Sequence, residues 1–94
     1  MNIYLKKFGT TLVSRQSGKE ALAAFRPKLN AVSDNENLFI DFAGVNTFSP
    51  SWADEFLTPL FAEYKNRIIL QNTKNLSVQA TLKMLKKIKD GELG

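Results

Sequence analysis

The sequence predicts an α/β domain in which short buried strands alternate with amphipathic helices. Two apolar runs, Leu38-Phe39-Ile40-Asp41-Phe42 and Arg67-Ile68-Ile69-Leu70-Gln71, are short, bounded by turn residues and apolar on both phases, which suits strands covered on both faces. Between them, Ala53, Phe56, Leu57, Leu60, Phe61 and Tyr64 recur at helical spacing, the clearest amphipathic face in the chain. Strands that alternate with helices in this way imply a mainly parallel sheet reached by right-handed crossovers.

The remaining elements follow in order. Asn2–Phe8 reads as a strand, Gly9-Thr10-Thr11 as a turn and Leu12-Val13 as a second short strand. Ser17-Gly18-Lys19-Glu20 has the form of a capping box, in which the serine takes a first-turn N–H and the glutamate reaches back. Leu22, Phe25, Leu29 and Val32 then place a first helix over 17–32, with a kink or early stop expected at Pro27, which has no N–H to donate. Asp34–Asn37 is a polar turn, and the segment 43–48 leaves the Leu38–Phe42 run as a loop.

Ser49-Pro50 puts a side-chain acceptor at the N-cap and a proline at the first helical position of the second helix, which Pro59 should bend. Asn75 or Ser77 caps a last helix with the stripe Val78, Leu82, Leu85, Ile88, ending at Asp90-Gly91. The order is β(β)αβαβα, one domain over residues 1–94. The N-terminal strand is left open to an antiparallel place at an edge.

Composition narrows the function. No histidine and no cysteine occurs among the 94 residues, which excludes Ser-His and Cys-His nucleophiles, the usual zinc ligand sets and disulfide chemistry. A binding module is therefore expected, not an enzyme, with no metal and no cofactor. No signal-peptide pattern or membrane-length apolar run is present, so a soluble, cytoplasmic protein without a membrane partner is expected. The net charge of +4 hides strong segregation: residues 31–63 contain six acids and no lysine or arginine, between basic flanks.

The segment from Val45 to Glu55 is the most informative. It sets Ser49 and Ser51 at the start of a helix that follows a buried strand, where α/β domains meet ligands and partners. Each residue there has a plain reading as well. Ser49 caps, Ser51 is a polar first-turn residue, and Asp54 and Glu55 favour the positive helix end. Trp52 is either a core-edge residue or an anchor for a partner. Asp54 and Glu55, adjacent on a helix, point about 100° apart and do not form a paired acid and base. Ser14-Arg15 precedes the first helix, and Arg15 either pairs locally or holds a carboxylate or phosphate in bidentate fashion. Gly9 and Gly44 have no phosphate-cradling spacing. Lys83, Lys86, Lys87 and Lys89 on the last helix offer a nucleic-acid surface as the alternative reading. Nucleic acid is disfavoured there because a solvated basic helix end accounts for them and no aromatic platform accompanies them.

Three segments together resemble a known family. They are Gly9 with Leu12-Val13-Ser14-Arg15, then Leu38-Phe39-Ile40-Asp41-Phe42-Ala43-Gly44-Val45, and then Phe48-Ser49-Pro50-Ser51-Trp52-Ala53-Asp54-Glu55-Phe56-Leu57. The chain resembles the STAS-like domain-of-unknown-function family, a relative of the STAS domains of anti-sigma-factor antagonists and sulfate transporters, over Ile3 to about Leu85. The resemblance implies a sheet of about four strands, mainly parallel or mixed, packed with about three helices, and a non-catalytic role in partner switching. It also implies a protein partner of the histidine-kinase-like ATPase or serine kinase class, contacted by Ser14, Arg15, Ser49, Ser51, Trp52, Asp54 and Glu55. Ser51 falls at the phosphoacceptor place. The usual Asp-Ser-Ser-Gly of such antagonists is here Ser49-Pro50-Ser51-Trp52, with a bulky indole where glycine is expected.

Overall fold

The computed structural model describes residues 1–89. Its strands are β1 (Asn2–Tyr4), β2 (Thr11–Leu12), β3 (Leu38–Asp41), β4 (Thr47–Phe48) and β5 (Ile68–Gln71). Its α-helices are α1 (Arg15–Leu29), α2 (Pro50–Tyr64) and α3 (Leu76–Lys89), with single 3-10 turns at Leu5–Phe8 and Lys65–Arg67. The α/β class stands. The strands, however, do not form one four-stranded sheet: β1-β3-β5 make a three-stranded parallel sheet and β2-β4 a separate two-stranded parallel one.

Several local expectations are corrected. The N-terminal strand is short and runs parallel to β3, with Ile3 opposite Ile40, because Leu5 to Phe8 turn into a 3-10 segment that buries Leu5. The second strand is Thr11–Leu12, not Leu12-Val13, and its partner is Thr47–Phe48, a stretch that reads as loop. That pairing joins segments distant in the chain, so no local pattern announces it.

Helix α1 starts at Arg15 with Ser14 as N-cap, not at a Ser17–Glu20 capping box. The Ser17 N–H donates to Ser14 Oγ at 3.1 Å, while Glu20 accepts instead from Gln16 Nε2 at 2.9 Å. The helix passes Pro27 and ends at Leu29, three residues before the expected limit at Val32. Ser49 caps α2 as expected, and Asn75 Oδ1 accepts the N–H groups of Ser77 and Val78 at the start of α3. Ile88 and the expected helix end at Asp90-Gly91 lie outside the described side chains and residues.

One apolar core holds the fold. Ile3, Leu38 and Ile40 of the sheet pack with Leu22, Phe25 and Leu29 of α1, with Phe56, Leu57 and Leu60 of α2, and with Val78 of α3. At about 25 cal/mol per Å² of buried apolar surface, this cluster is the main stabilising contribution. α1 packs against α2, and α2 against α3, so the helices occupy one side of the three-stranded sheet. The other side is open. Phe39 is half-buried and stands outside the core, and Tyr4 and Ile69 are exposed, which corrects the expectation of strands covered on both faces.

Candidate functional site: the paired first turns of α1 and α2

The two helix starts are held side by side by backbone. Strand β2 delivers α1 and strand β4 delivers α2. Because β2 and β4 are parallel neighbours, Ser14 and Ser49 reach their caps together. Ser49 stitches them. Its N–H donates to the Leu12 carbonyl at 3.0 Å, its hydroxyl donates to the Val13 carbonyl at 2.7 Å, and the Trp52 N–H donates back to its Oγ at 3.4 Å. From the other side α3 grips β4. The Phe48 N–H donates to Ser77 Oγ at 3.1 Å, and the buried Thr81 hydroxyl donates to the Phe48 carbonyl at 2.8 Å.

Gly18 completes the arrangement. It is buried in the first turns of α1, directly against the backbone of Trp52 in α2. The absence of a side chain lets two helix backbones approach, a role separate from the capping motif in which the sequence places this glycine.

The close approach brings Arg15 onto the start of α2. Its Nη1 donates to Asp54 Oδ2 at 2.9 Å and to Glu55 Oε1 at 3.0 Å, so one guanidinium nitrogen joins both carboxylates. Although Asp54 and Glu55 leave the helix at different angles, both side chains converge on this cation. Thr58 Oγ1 donates to Asp54 Oδ1 at 3.0 Å. The hydrogen bond from Arg15 holds the Asp54 carboxyl below its ordinary pKa against the opposing effect of burial, helped by the Thr58 hydroxyl and by the charge of Arg15. The same two carboxylates raise the Arg15 pKa further, the Asp54 hydrogen bond most and the Glu55 hydrogen bond next.

Ser51 is half-buried in the first turn of α2, one helical turn before Asp54 and Glu55 and on the same face. Among the described residues its hydroxyl has no hydrogen-bond partner. Ser14 is exposed on the facing turn, where its hydroxyl donates to Ser17 Oγ at 2.9 Å. The structure thus brings Ser14, Arg15, Ser49, Ser51, Asp54 and Glu55 to one surface.

Trp52 does not join them. Only 1% exposed, it turns inward, stacked on Phe56 at 4.9 Å between ring centroids and close to Phe48 and Phe8. The partner-anchor reading of Trp52 is corrected: the indole is core, and it supports the first turn of α2 from beneath. Lys83, Lys86 and Lys87 are exposed on α3 and belong to neither helix start.

Among the described residues no cluster of three or more metal-ligating side chains occurs, and no helix is long and apolar enough to cross a membrane. Asp41, at the end of β3, organises a loop: its Oδ1 accepts from the Ala43 N–H and from Asn72 Nδ2, both at 2.8 Å.

The chain belongs to the STAS-like class of small α/β domains. The chain is a member of the STAS-like domain of unknown function family (DUF4325), whose profile matches residues 23–78. No curated protein and no solved structure matches the chain. The matched span includes Ser49, Ser51, Asp54 and Glu55, while Ser14, Arg15 and Gly18 precede it.

Proposed function

We propose that this chain is a non-catalytic regulatory domain that binds a protein partner through the paired first turns of α1 and α2. Its contact residues are Ser14, Arg15, Ser49, Ser51, Asp54 and Glu55. The observation that supports this reading most is the bridge from Arg15 to Asp54 and Glu55. It fixes an exposed, charged surface across two helices, beside which the Ser51 hydroxyl has no hydrogen-bond partner among the described residues.

Control comes from Ser51. A phosphate there adds roughly two negative charges. It faces Asp54 and Glu55 one turn along the helix and competes with them for Arg15. The bridge opens, the already acidic surface read by the partner becomes more negative, and the partner leaves. By resemblance to anti-sigma-factor antagonists, the partner is an ATPase or serine kinase of the histidine-kinase-like fold.

The test is affinity capture with the wild-type chain and with Ser51→Asp, followed by identification of what each retains. A histidine-kinase-like protein retained by the wild type and lost with Ser51→Asp is the expected result. Equal recovery on both overturns control through Ser51.

A further inference from the structure

Two amines share one aromatic surface at the end of α1 far from the paired helix starts. Lys7, in the 3-10 turn Leu5–Phe8, and Lys28, in the last turn of α1, both stand over the ring of Phe25. Their Nζ atoms lie 5.0 Å and 5.7 Å from its centroid, and Lys7 Nζ is also 5.8 Å from the centre of the Phe8 ring. The floor beneath them is fixed. Phe25 is buried, and Phe8 meets it edge-on at 6.1 Å and packs on Phe56 at 5.3 Å.

A ring face attracts a cation, so a single ammonium over Phe25 would be favourable. Two on one ring repel each other. Neither lysine has an ion-pair partner among the described residues. Asp41 and Lys6 line one cleft with Lys7, but Asp41 Oδ1 accepts from the Ala43 N–H and from Asn72 Nδ2, and Lys6 only adds positive charge. Arg26, also in the last turn of α1, is joined to Glu63. The hydrogen bond with Lys28, then burial, then the charge of Lys28 hold the Lys7 ammonium below its ordinary pKa, so these effects outweigh the attraction of the rings. The two amines are not equivalent. Lys28 lies at the negative end of a fifteen-residue helix, which favours a cation there, whereas Lys7 lies in a single turn too short for a comparable dipole.

A lysine next to another cation is activated as a nucleophile, because it gives up its proton more readily, and the cation that remains is a seat for an anion. We propose that Lys7 is a site of N-acylation by acyl phosphates, its amine attacking the acyl carbon while the Lys28 ammonium holds the phosphate. Lys7 first gives one proton to water, and the Nζ lone pair then forms a bond to the acyl carbon. The bond from that carbon to the phosphate oxygen breaks, its electron pair leaves with inorganic phosphate, and a second proton passes from Nζ to phosphate or water. The amide that results carries no charge, which ends the repulsion with Lys28. An anionic donor suits the site better than a neutral acyl thioester, because both lysines are exposed and their charge is uncompensated. The pair lies about 20 Å along α1 from Arg15 at about 1.5 Å per residue, and this proposal does not rest on the one above.

The experiment incubates the whole chain with acetyl phosphate at neutral pH, stops at low conversion and quantifies acetylation at each lysine by peptide mass spectrometry. Lys7 is expected to react several-fold faster than Lys19 and Lys74, which are exposed elsewhere on the chain. Lys28→Gln should bring the Lys7 rate down to theirs, while Lys28→Arg, which retains the cation, should preserve most of the advantage. Position 28 is exposed, and a thermal melt of each variant verifies that it folds. With the neutral thioester S-acetyl-N-acetylcysteamine in place of acetyl phosphate, the advantage of Lys7 should shrink. A Lys7 rate no greater than that of Lys19, faster reaction at Lys28 than at Lys7, or an unchanged Lys7 rate in Lys28→Gln overturns the proposal. An equal advantage with both donors overturns the role of Lys28 in holding the phosphate.

Discussion

Gly18 of α1 lies so close to Trp52 of α2 that a Cβ added to it would stand 2.6 Å from the Trp52 carbonyl oxygen and 3.1 Å from its Cα. The neighbour is backbone and not the end of a flexible side chain, so it has little freedom to yield. This contact sets the distance between the two helix starts, and with it the reach of Arg15 to Asp54 and Glu55.

Gly18→Ala is therefore expected to destabilise the fold by about 1–3 kcal/mol through overpacking, despite the better helix propensity of alanine. Chemical denaturation checks this. A stability equal to or above that of the wild type would mean that the helices separate without cost.

Trp52→Ala, which empties the aromatic cluster, should cost about 3–5 kcal/mol. If Trp52 instead anchored a partner, the variant would keep its stability and lose only binding. A denaturation curve and a binding curve on the same variant separate these outcomes.

Thr81→Val retains the shape of the side chain but leaves the buried Phe48 carbonyl without the Thr81 hydroxyl, so a loss of about 1–2 kcal/mol is expected. Because Phe48 ends the strand that delivers α2, hydrogen exchange should also rise at Phe48 and Ser49. Unchanged exchange there would show that α3 does not steady the site.

The pH response of Asp54 follows from its depressed pKa. A carboxyl whose folded pKa lies below its unfolded value contributes stability that is present above the unfolded value, near 3.8 for aspartate, and lost as pH falls through the folded one. The Arg15–Asp54 contact is thus insensitive to pH around neutrality and weakens only in acid. Carboxyl-carbon NMR titration should show a low Asp54 midpoint that rises in Arg15→Ala, and rises less in Thr58→Val. An Asp54 midpoint identical in the wild type and Arg15→Ala would refute the assignment.

Much of this architecture was legible in the sequence because it rests on local chemistry. Ser49-Pro50 announces a helix start through a side-chain acceptor and a preset φ, and the apolar rhythm from Ala53 to Tyr64 matches α2. What escaped depends on segments far apart in the chain. Thr47 and Phe48 become a strand only because Thr11 and Leu12 lie beside them. Ser14 and Ser17 each stand before a plausible helix, and the register was decided by the hydroxyl of Ser14 meeting the Ser17 N–H. The bridge at the site joins residues 39 and 40 positions apart, and the fit of Gly18 against Trp52 leaves no periodic trace. Six of the seven expected contact residues do meet on one surface. The seventh, Trp52, is a residue type equally at home in cores and at interfaces.

The central claim is that the paired helix starts form the surface a partner reads. The direct measurement is amide chemical-shift mapping on the ¹⁵N-labelled chain as the captured partner is titrated in, for the wild type, Arg15→Ala and, as a control on α3, Lys86→Ala. The account predicts shifts concentrated over Ser14–Gly18 and Ser49–Glu55, affinity at least about tenfold lower for Arg15→Ala, and no change for Lys86→Ala. A footprint on α3 with the helix starts undisturbed, or equal affinity for the wild type and Arg15→Ala, would contradict it.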